Sequence, residues 1–85
     1  STDTVAPALT LKDPFHMGGP FFTIAGTTES GATVFINDEE VDVNADGTFQ
    51  KLVAFNKVGP NPVVVKAVDS AGNQTVKSQT VRVEE

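Results

Sequence analysis

Apolar and polar residues alternate along most of this chain, in short runs separated by turn-forming residues. In residues 32–36, Val34 and Ile36 share one parity, while Thr33 and Phe35 share the other. Successive side chains of a strand point to opposite faces, so Val34 and Ile36 are expected to face inward. No window shows sustained helical periodicity. The pattern therefore predicts an all-β chain with almost no helix.

The same alternation predicts about seven antiparallel strands, with turns every eight to twelve residues or so. The expected strands cover residues 8–11, 21–25, 32–36, 41–43, 49–55, 62–68 and 75–83. Gly26 is expected to end the second strand, and Gly59 with Pro60 to separate the fifth from the sixth. Pro62 has no amide hydrogen, so it should begin a strand or lie at a sheet edge. This arrangement is typical of two sheets packed face to face.

Two residues disturb the alternation. Lys51 shares the inward parity of Phe49, so its strand is expected to lie at a sheet edge or its stem to reach solvent. Val76 is out of phase with Val81, and a β-bulge near residues 77–78 would reconcile them.

Size and charge narrow the classes of function. A chain of 85 residues forms one small domain, and its formal net charge is -5. No basic stripe is present to neutralise phosphates, so nucleic acid is not an expected partner. The chain has no cysteine for a disulfide or thiolate metal site. No run approaches the roughly 18 apolar residues of a membrane-spanning helix.

Three segments that join strands to turns occur in fixed order. They are TTESGATVFIN at 27–37, VDVNADGTF at 41–49 and AVDSAGN at 67–73. They resemble the bacterial immunoglobulin-like modules of secreted and cell-surface proteins, of the glucodextranase-B-like type. The resemblance extends from about Pro7 to Val83 and implies an immunoglobulin-like β-sandwich of about seven antiparallel strands with Greek-key connections. Residues 1–6 are then expected to be a flexible linker, residues 7–83 the domain, and residues 84–85 a linker stub.

The resemblance implies a non-catalytic spacer or accessory module of a larger exported bacterial protein, such as an adhesin, a stalk or an extracellular enzyme. Such a module would be a monomer that contacts adjacent domains of its own chain. Its expected location is extracellular or at the cell surface, with the periplasm as the alternative. Nearly every matching residue has a role in a turn or the core, so binding specificity is expected elsewhere.

Two surfaces are candidates for binding. One is the predicted loop between the first two strands, and the other consists of outward-facing residues that meet if their strands are neighbours. The alternative function is therefore a ligand-binding module for a cell-wall or host-surface glycan or protein. The absence of Trp and Tyr weakens the case for a sugar. The candidate residues are Phe15, His16 and Met17 in the loop and Phe35, Val64 and Val68 on the outward face.

Two turns carry side chains that can ligate calcium. Asn44 and Asp46 have the spacing that opens a calcium loop, but no bidentate carboxylate follows at the required distance. Asp69 and Asn73 offer a similar pair. We expect both pairs to bond turn amides, with calcium as the alternative and no other cofactor.

Acidic residues also cluster at the tip of the hairpin predicted for residues 32–43. Glycoside hydrolysis needs two carboxyl groups roughly 5 to 10 Å apart across a sugar, and a hairpin tip offers no cleft. His16, the one histidine, has no nucleophile nearby to activate. We therefore expect no enzyme activity and interpret the acids as a solvated run that protects a strand edge. These acids are Asp38, Glu39, Glu40 and Asp42.

Overall fold

The computed structural model describes residues 5–84, so most of the linker expected at residues 1–6, and Glu85 of the expected stub, lie outside it. Eight strands form two antiparallel sheets that pack face to face. Within residues 5–84 no helix is long and apolar enough to cross a membrane. The strands are β1 (Leu9–Leu11), β2 (Phe15–Gly18), β3 (Phe21–Thr28), β4 (Thr33–Ile36), β5 (Glu39–Val41), β6 (Thr48–Ala54), β7 (Gly59–Val68) and β8 (Gln74–Val83).

The first sheet, sheet A, has β3 at its centre, with β6 on one side and β1 and β2 in succession on the other. The second sheet, sheet B, has the order β5-β4-β7-β8. The chain thus crosses from one sheet to the other three times, after β3, after β5 and after β6, as strands do in immunoglobulin-like sandwiches. The predicted all-β sandwich is confirmed, with eight strands rather than seven.

The inward faces of the two sheets form one apolar core, as the parity of the sequence predicted. Ile24, Val34, Val63, Val65 and Ala67 are fully buried, and no polar or charged side chain is buried among residues 5–84. The core also contains three aromatic rings that the sequence assigned to it: Phe22, Phe49 and Phe55. Stiff, β-branched valines suit this pleated interior.

The segment predicted as a loop between the first two strands is instead strand β2, a correction to the sequence analysis. Phe15 pairs with Thr23 and His16 with Phe22, and a β-bulge at Met17 shifts the register before Gly18 pairs with Phe21. All four residues of β2 are exposed. The strand has only four residues, it lies between Pro14 and the turn at residues 19–20, and its apolar side chains, Phe15 and Met17, face solvent, so the core pattern does not reveal it.

Two predicted strand ends were also wrong. Gly26 lies inside β3, which continues to Thr28, and Gly59 begins β7 instead of preceding it. A Cβ at Gly26 would overlap the carbonyl oxygen of Thr10 and crowd the ring of Phe49. The glycine is therefore needed for close packing within a strand and does not mark a turn.

Pro62 is the fourth residue of β7, not its first, and it lies in the part of the strand that is not paired with β4. Val64 exchanges hydrogen bonds with Asn37 on the β4 side of β7, and backbone groups alternate in direction along a strand. The nitrogens of Pro60 and Pro62 therefore face the same side, beyond the end of β4, where no strand needs their missing hydrogens.

Strand β8 contains no bulge, so the irregularity predicted near residues 77–78 is wrong. Its ten residues pair with β7 in one unbroken register, which places Val76 opposite Lys66 on the outer face. Lys77, opposite the buried Val65, lies on the inward side. Because β8 is an edge strand, Lys77 can occupy that side and still reach solvent.

Candidate functional site

The outer face of sheet A carries a group of exposed apolar side chains. Phe15 is 65% exposed, Met17 55%, Phe21 46% and Leu52 58%. Phe15 and Leu52 flank Thr23 on either side of β3. The structure thus places two of the predicted binding residues, Phe15 and Met17, on one surface with two that the sequence analysis missed.

His16 is separated from its two neighbours in sequence. Its ring stacks on Phe22 with centroids 4.5 Å apart, and its Nε2 lies 2.8 Å from the carbonyl oxygen of Gly19. Phe22 in turn meets Phe55 edge to face at 5.8 Å. His16 therefore covers one end of the core, on the opposite side of the strand from Phe15 and Met17.

An open trough borders this apolar group. It encloses ≈ 430 Å³ and is lined by Lys12, Asp13, Phe15, Met17, Thr23, Ala25 and Gln50. Thr23 and Ala25 are consecutive outward residues of the central strand, and their small side chains form the floor. Ala25 lies between Lys12, which donates its amide to the Ala25 carbonyl oxygen at 2.9 Å, and Gln50 on β6. The trough runs along β3 between walls from two neighbouring strands.

The outer face of sheet B brings together the second predicted set. Phe35 pairs with Lys66, whose Nζ lies 5.2 Å from the ring centroid, a cation–π contact. Val64 and Val68 flank Lys66 on β7. Val76, 57% exposed and opposite Lys66, completes this surface. The bulge predicted in β8 would have directed Val76 inward, so it was not among the predicted binding residues. Lys66 divides the apolar surface here, whereas the outer face of sheet A has no charge between Phe15 and Leu52.

The acidic hairpin tip is a tight two-residue turn. Asn37 and Asp38 have positive φ, 48° and 70°, and Ile36 pairs with Glu39 directly beyond them. This geometry matches the type I′ turn that favours twisted hairpins. Glu39 Oε2 lies 3.3 Å from the Nζ of Lys51 on β6, so the tip is linked to the margin of sheet A.

The turn with Asn44 and Asp46 uses its polar groups internally. Asp46 Oδ1 accepts hydrogen bonds from the hydroxyl and the amide of Thr48, at 2.7 and 3.0 Å. Asn44 Nδ2 donates to the same hydroxyl at 2.9 Å. The two bonds from Thr48 hold the pKa of Asp46 below its ordinary value of 3.8.

The turn with Asp69 and Asn73 is built in the same way. Asp69 Oδ1 accepts from the amides of Ala71 and Asn73 at 3.0 and 2.8 Å, and Oδ2 accepts from Asn73 Nδ2 at 3.1 Å. Partial desolvation raises the pKa of Asp69, but the hydrogen bonds together lower it below 3.8. Across residues 5–84 no three His, Asp or Glu side chains group in a way that would hold a metal ion.

Comparison with known proteins gives one relationship. Residues 19–85 match the family model described as glucodextranase, domain B. No curated protein matches the sequence. The match begins after β2, so Lys12, Asp13, Phe15 and Met17 of the trough precede it. Since the match covers well over half of the sequence, the chain belongs to the glucodextranase domain B family.

Proposed function

We propose that this chain is a non-catalytic spacer and accessory module of a larger exported bacterial protein. The observation that carries the proposal is the position of its two ends. Pro7 precedes β1 at the end of the sandwich formed by Thr28 and the 69–73 turn, whereas Val83 pairs with Gly59 at the opposite end. A module whose chain enters at one end and leaves at the opposite end keeps the domain before it and the domain after it on opposite sides.

The entering segment is firmly attached, which a spacer requires. Thr75 Oγ1 donates to the Pro7 carbonyl oxygen at 2.6 Å, and Thr28 Oγ1 donates to that of Ala8 at 2.6 Å. The amide of Ala8 donates to Glu29 Oε1 at 3.1 Å. Pro7 itself is buried. Hydrogen bonds from both sheets therefore fix the direction in which the chain enters.

The family supports an accessory role, because it is named for one domain of an enzyme, glucodextranase. On this basis we infer a glycoside hydrolase as the parent, in which this module would hold or position the hydrolase domain outside the cell. In an adhesin or a stalk the neighbouring domains would be different, but the module would have the same geometry as a spacer. Adjacent domains of the same chain are its expected partners, and it works as a monomer.

Distance measurement tests the spacer proposal. Because the chain has no cysteine, Ala6→Cys with Glu84→Cys can be labelled for single-molecule energy transfer. We expect one narrow population with a separation approaching the 49 Å long dimension of the molecule. The control pair Ala6→Cys with Ser70→Cys joins two positions at one end and should give a much shorter distance. A broad distribution, or a short distance for both pairs, would contradict the proposal.

A further inference from the structure

The trough on the outer face of sheet A has the chemistry of a binding site. Its ≈ 430 Å³ falls within the range of about 300 to 1,000 Å³ typical of ligand sites. Phe15, 65% exposed, offers an aromatic wall. In the described part of the chain, the side chains of Lys12, Asp13 and Gln50 have no hydrogen-bonding or ionic partner. Apolar and polar groups thus converge on one concave surface without satisfying each other.

We propose that this trough binds a neutral glycan, with a sugar ring stacked against Phe15. A sugar ring has apolar C–H faces and a rim of hydroxyl groups, each able to donate and accept a hydrogen bond. Phe15 and Met17 match the apolar faces, while the Asp13 carboxylate accepts, the Lys12 ammonium donates and the Gln50 amide does both. The small floor at Thr23 and Ala25 leaves room for a chain of rings along β3.

A peptide fits this surface less well than a glycan. The backbone of β3 is hydrogen-bonded on both sides, by β6 and by β1 and β2, so an extended peptide over it would find no free amide to pair with. Its own buried backbone groups would then lose their partners. A glycan carries its polar groups at its rim, where Lys12, Asp13 and Gln50 lie.

The charges of the trough and of the whole protein favour a neutral glycan. The trough holds one ammonium, from Lys12, and one carboxylate, from Asp13, while the whole molecule has a formal net charge of -5. An anionic polysaccharide would meet repulsion from the molecule as a whole with only one cation to offset it. The glycan site does not depend on the spacer role, which the end-to-end distance measurement tests separately.

Titration of ¹⁵N-labelled protein with maltohexaose, isomaltohexaose and cellohexaose tests the proposal, with oligogalacturonate as the anionic comparison. At least one neutral oligosaccharide should shift the amides of Thr23, Ala25 and Gln50 saturably, with a dissociation constant on the order of 1 mM or tighter. No shift with any neutral oligosaccharide at about ten times that concentration, shifts confined to residues outside the trough, or binding of oligogalacturonate alone would overturn it.

Two substitutions test the residues. Phe15→Ala should weaken binding about tenfold or more, because it removes the stacking surface. Phe15→Tyr keeps an aromatic ring and should retain the affinity of the parent chain. Gln50→Ala should weaken binding while leaving the apolar wall intact. Val76→Ala, an exposed position on sheet B, is the matched control and should bind like the parent chain. With spectra showing that all variants are folded, equal affinity for Phe15→Ala and Val76→Ala would contradict the site.

Discussion

The amide of Thr28 donates a 2.8 Å hydrogen bond to the carbonyl oxygen of Gly47, and the two backbones approach so closely that a Cβ on Gly47 would overlap the Thr28 carbonyl oxygen. Gly47 also has φ +89°. Gly72 has nearly the same φ, +90°, yet a Cβ there would meet nothing within 4 Å. Substitutions at these two glycines therefore separate two contributions to the free energy of unfolding: the unfavourable φ and the steric collision.

Gly47→Ala is expected to lower the free energy of unfolding by about 2–4 kcal/mol, since it adds a collision to an unfavourable φ. Gly72→Ala should cost only the conformational part, about 1–2 kcal/mol. Urea unfolding of both variants and the parent chain measures the difference. Equal losses would show that the contact with Thr28 relaxes freely.

The hairpin turn predicts opposite effects at adjacent positions. Asp38 has φ 70°, so Asp38→Gly should raise the free energy of unfolding by about 0.5–1 kcal/mol by removing Cβ strain. Asn37 Oδ1 accepts the amide of Val64 at 2.9 Å. Asn37→Ala removes that bond, and because Val64 is 45% exposed and water can reach its amide, stability should fall by about 0.5–1.5 kcal/mol. Thermal unfolding of both variants checks the pair of signs; stabilisation by Asn37→Ala would refute the role of this bond.

The hydrogen bonds that Asp46 and Asp69 accept in their turns predict that the folded state loses stability in acid. The pKa values of Asp46 and Asp69 are lower in the folded state than their ordinary value of 3.8. Their stabilising contributions are therefore complete above pH 3.8 and are lost as the pH falls below it through the folded-state values. Comparing urea unfolding near neutral pH and near pH 3 should show a smaller acid-induced loss for Asp46→Asn and Asp69→Asn than for the parent chain. Asp42→Asn, an exposed carboxylate outside both turns, is the control.

The core was predictable from the sequence because burial imposes parity on the side chains. Val34, Ile36, Val63 and Val65 alternate with outward residues, and each is buried in the structure. Gly26 shows the limit of such inference. Its neighbours Thr10 and Phe49 come from other strands, so the reason for a glycine inside β3 becomes visible only when the strands are assembled.

The candidate site was half predictable. Phe15 and Met17 are large apolar residues outside the core pattern, which is a signal that the sequence carries. Leu52 has the opposite parity to Phe49, so its outward direction could have been noted. Its place beside Thr23, across β3 from Phe15, depends on the pairing of β3 with β6, which the sequence does not contain.

Lys51 and Lys77 share a position that opposes the pairing of two sandwiches through their sheet edges. Lys51 lies opposite the buried Ile24 on β6, and Lys77 lies opposite the buried Val65 on β8. Both strands are sheet edges. A charged side chain directed inward at an edge must reach solvent past that edge, which obstructs the pairing of another strand there.

Replacing both lysines with valine is therefore expected to cause self-association, visible in sedimentation velocity as a concentration-dependent increase in mass. Stability should change little through the lost Lys51–Glu39 ion pair, since partly exposed pairs contribute only about 0.2–1 kcal/mol. Lys57→Val removes a charge from the segment between β6 and β7, outside any strand, and should remain a monomer. Self-association of Lys57→Val to the same extent would attribute the effect to lost charge instead of edge position.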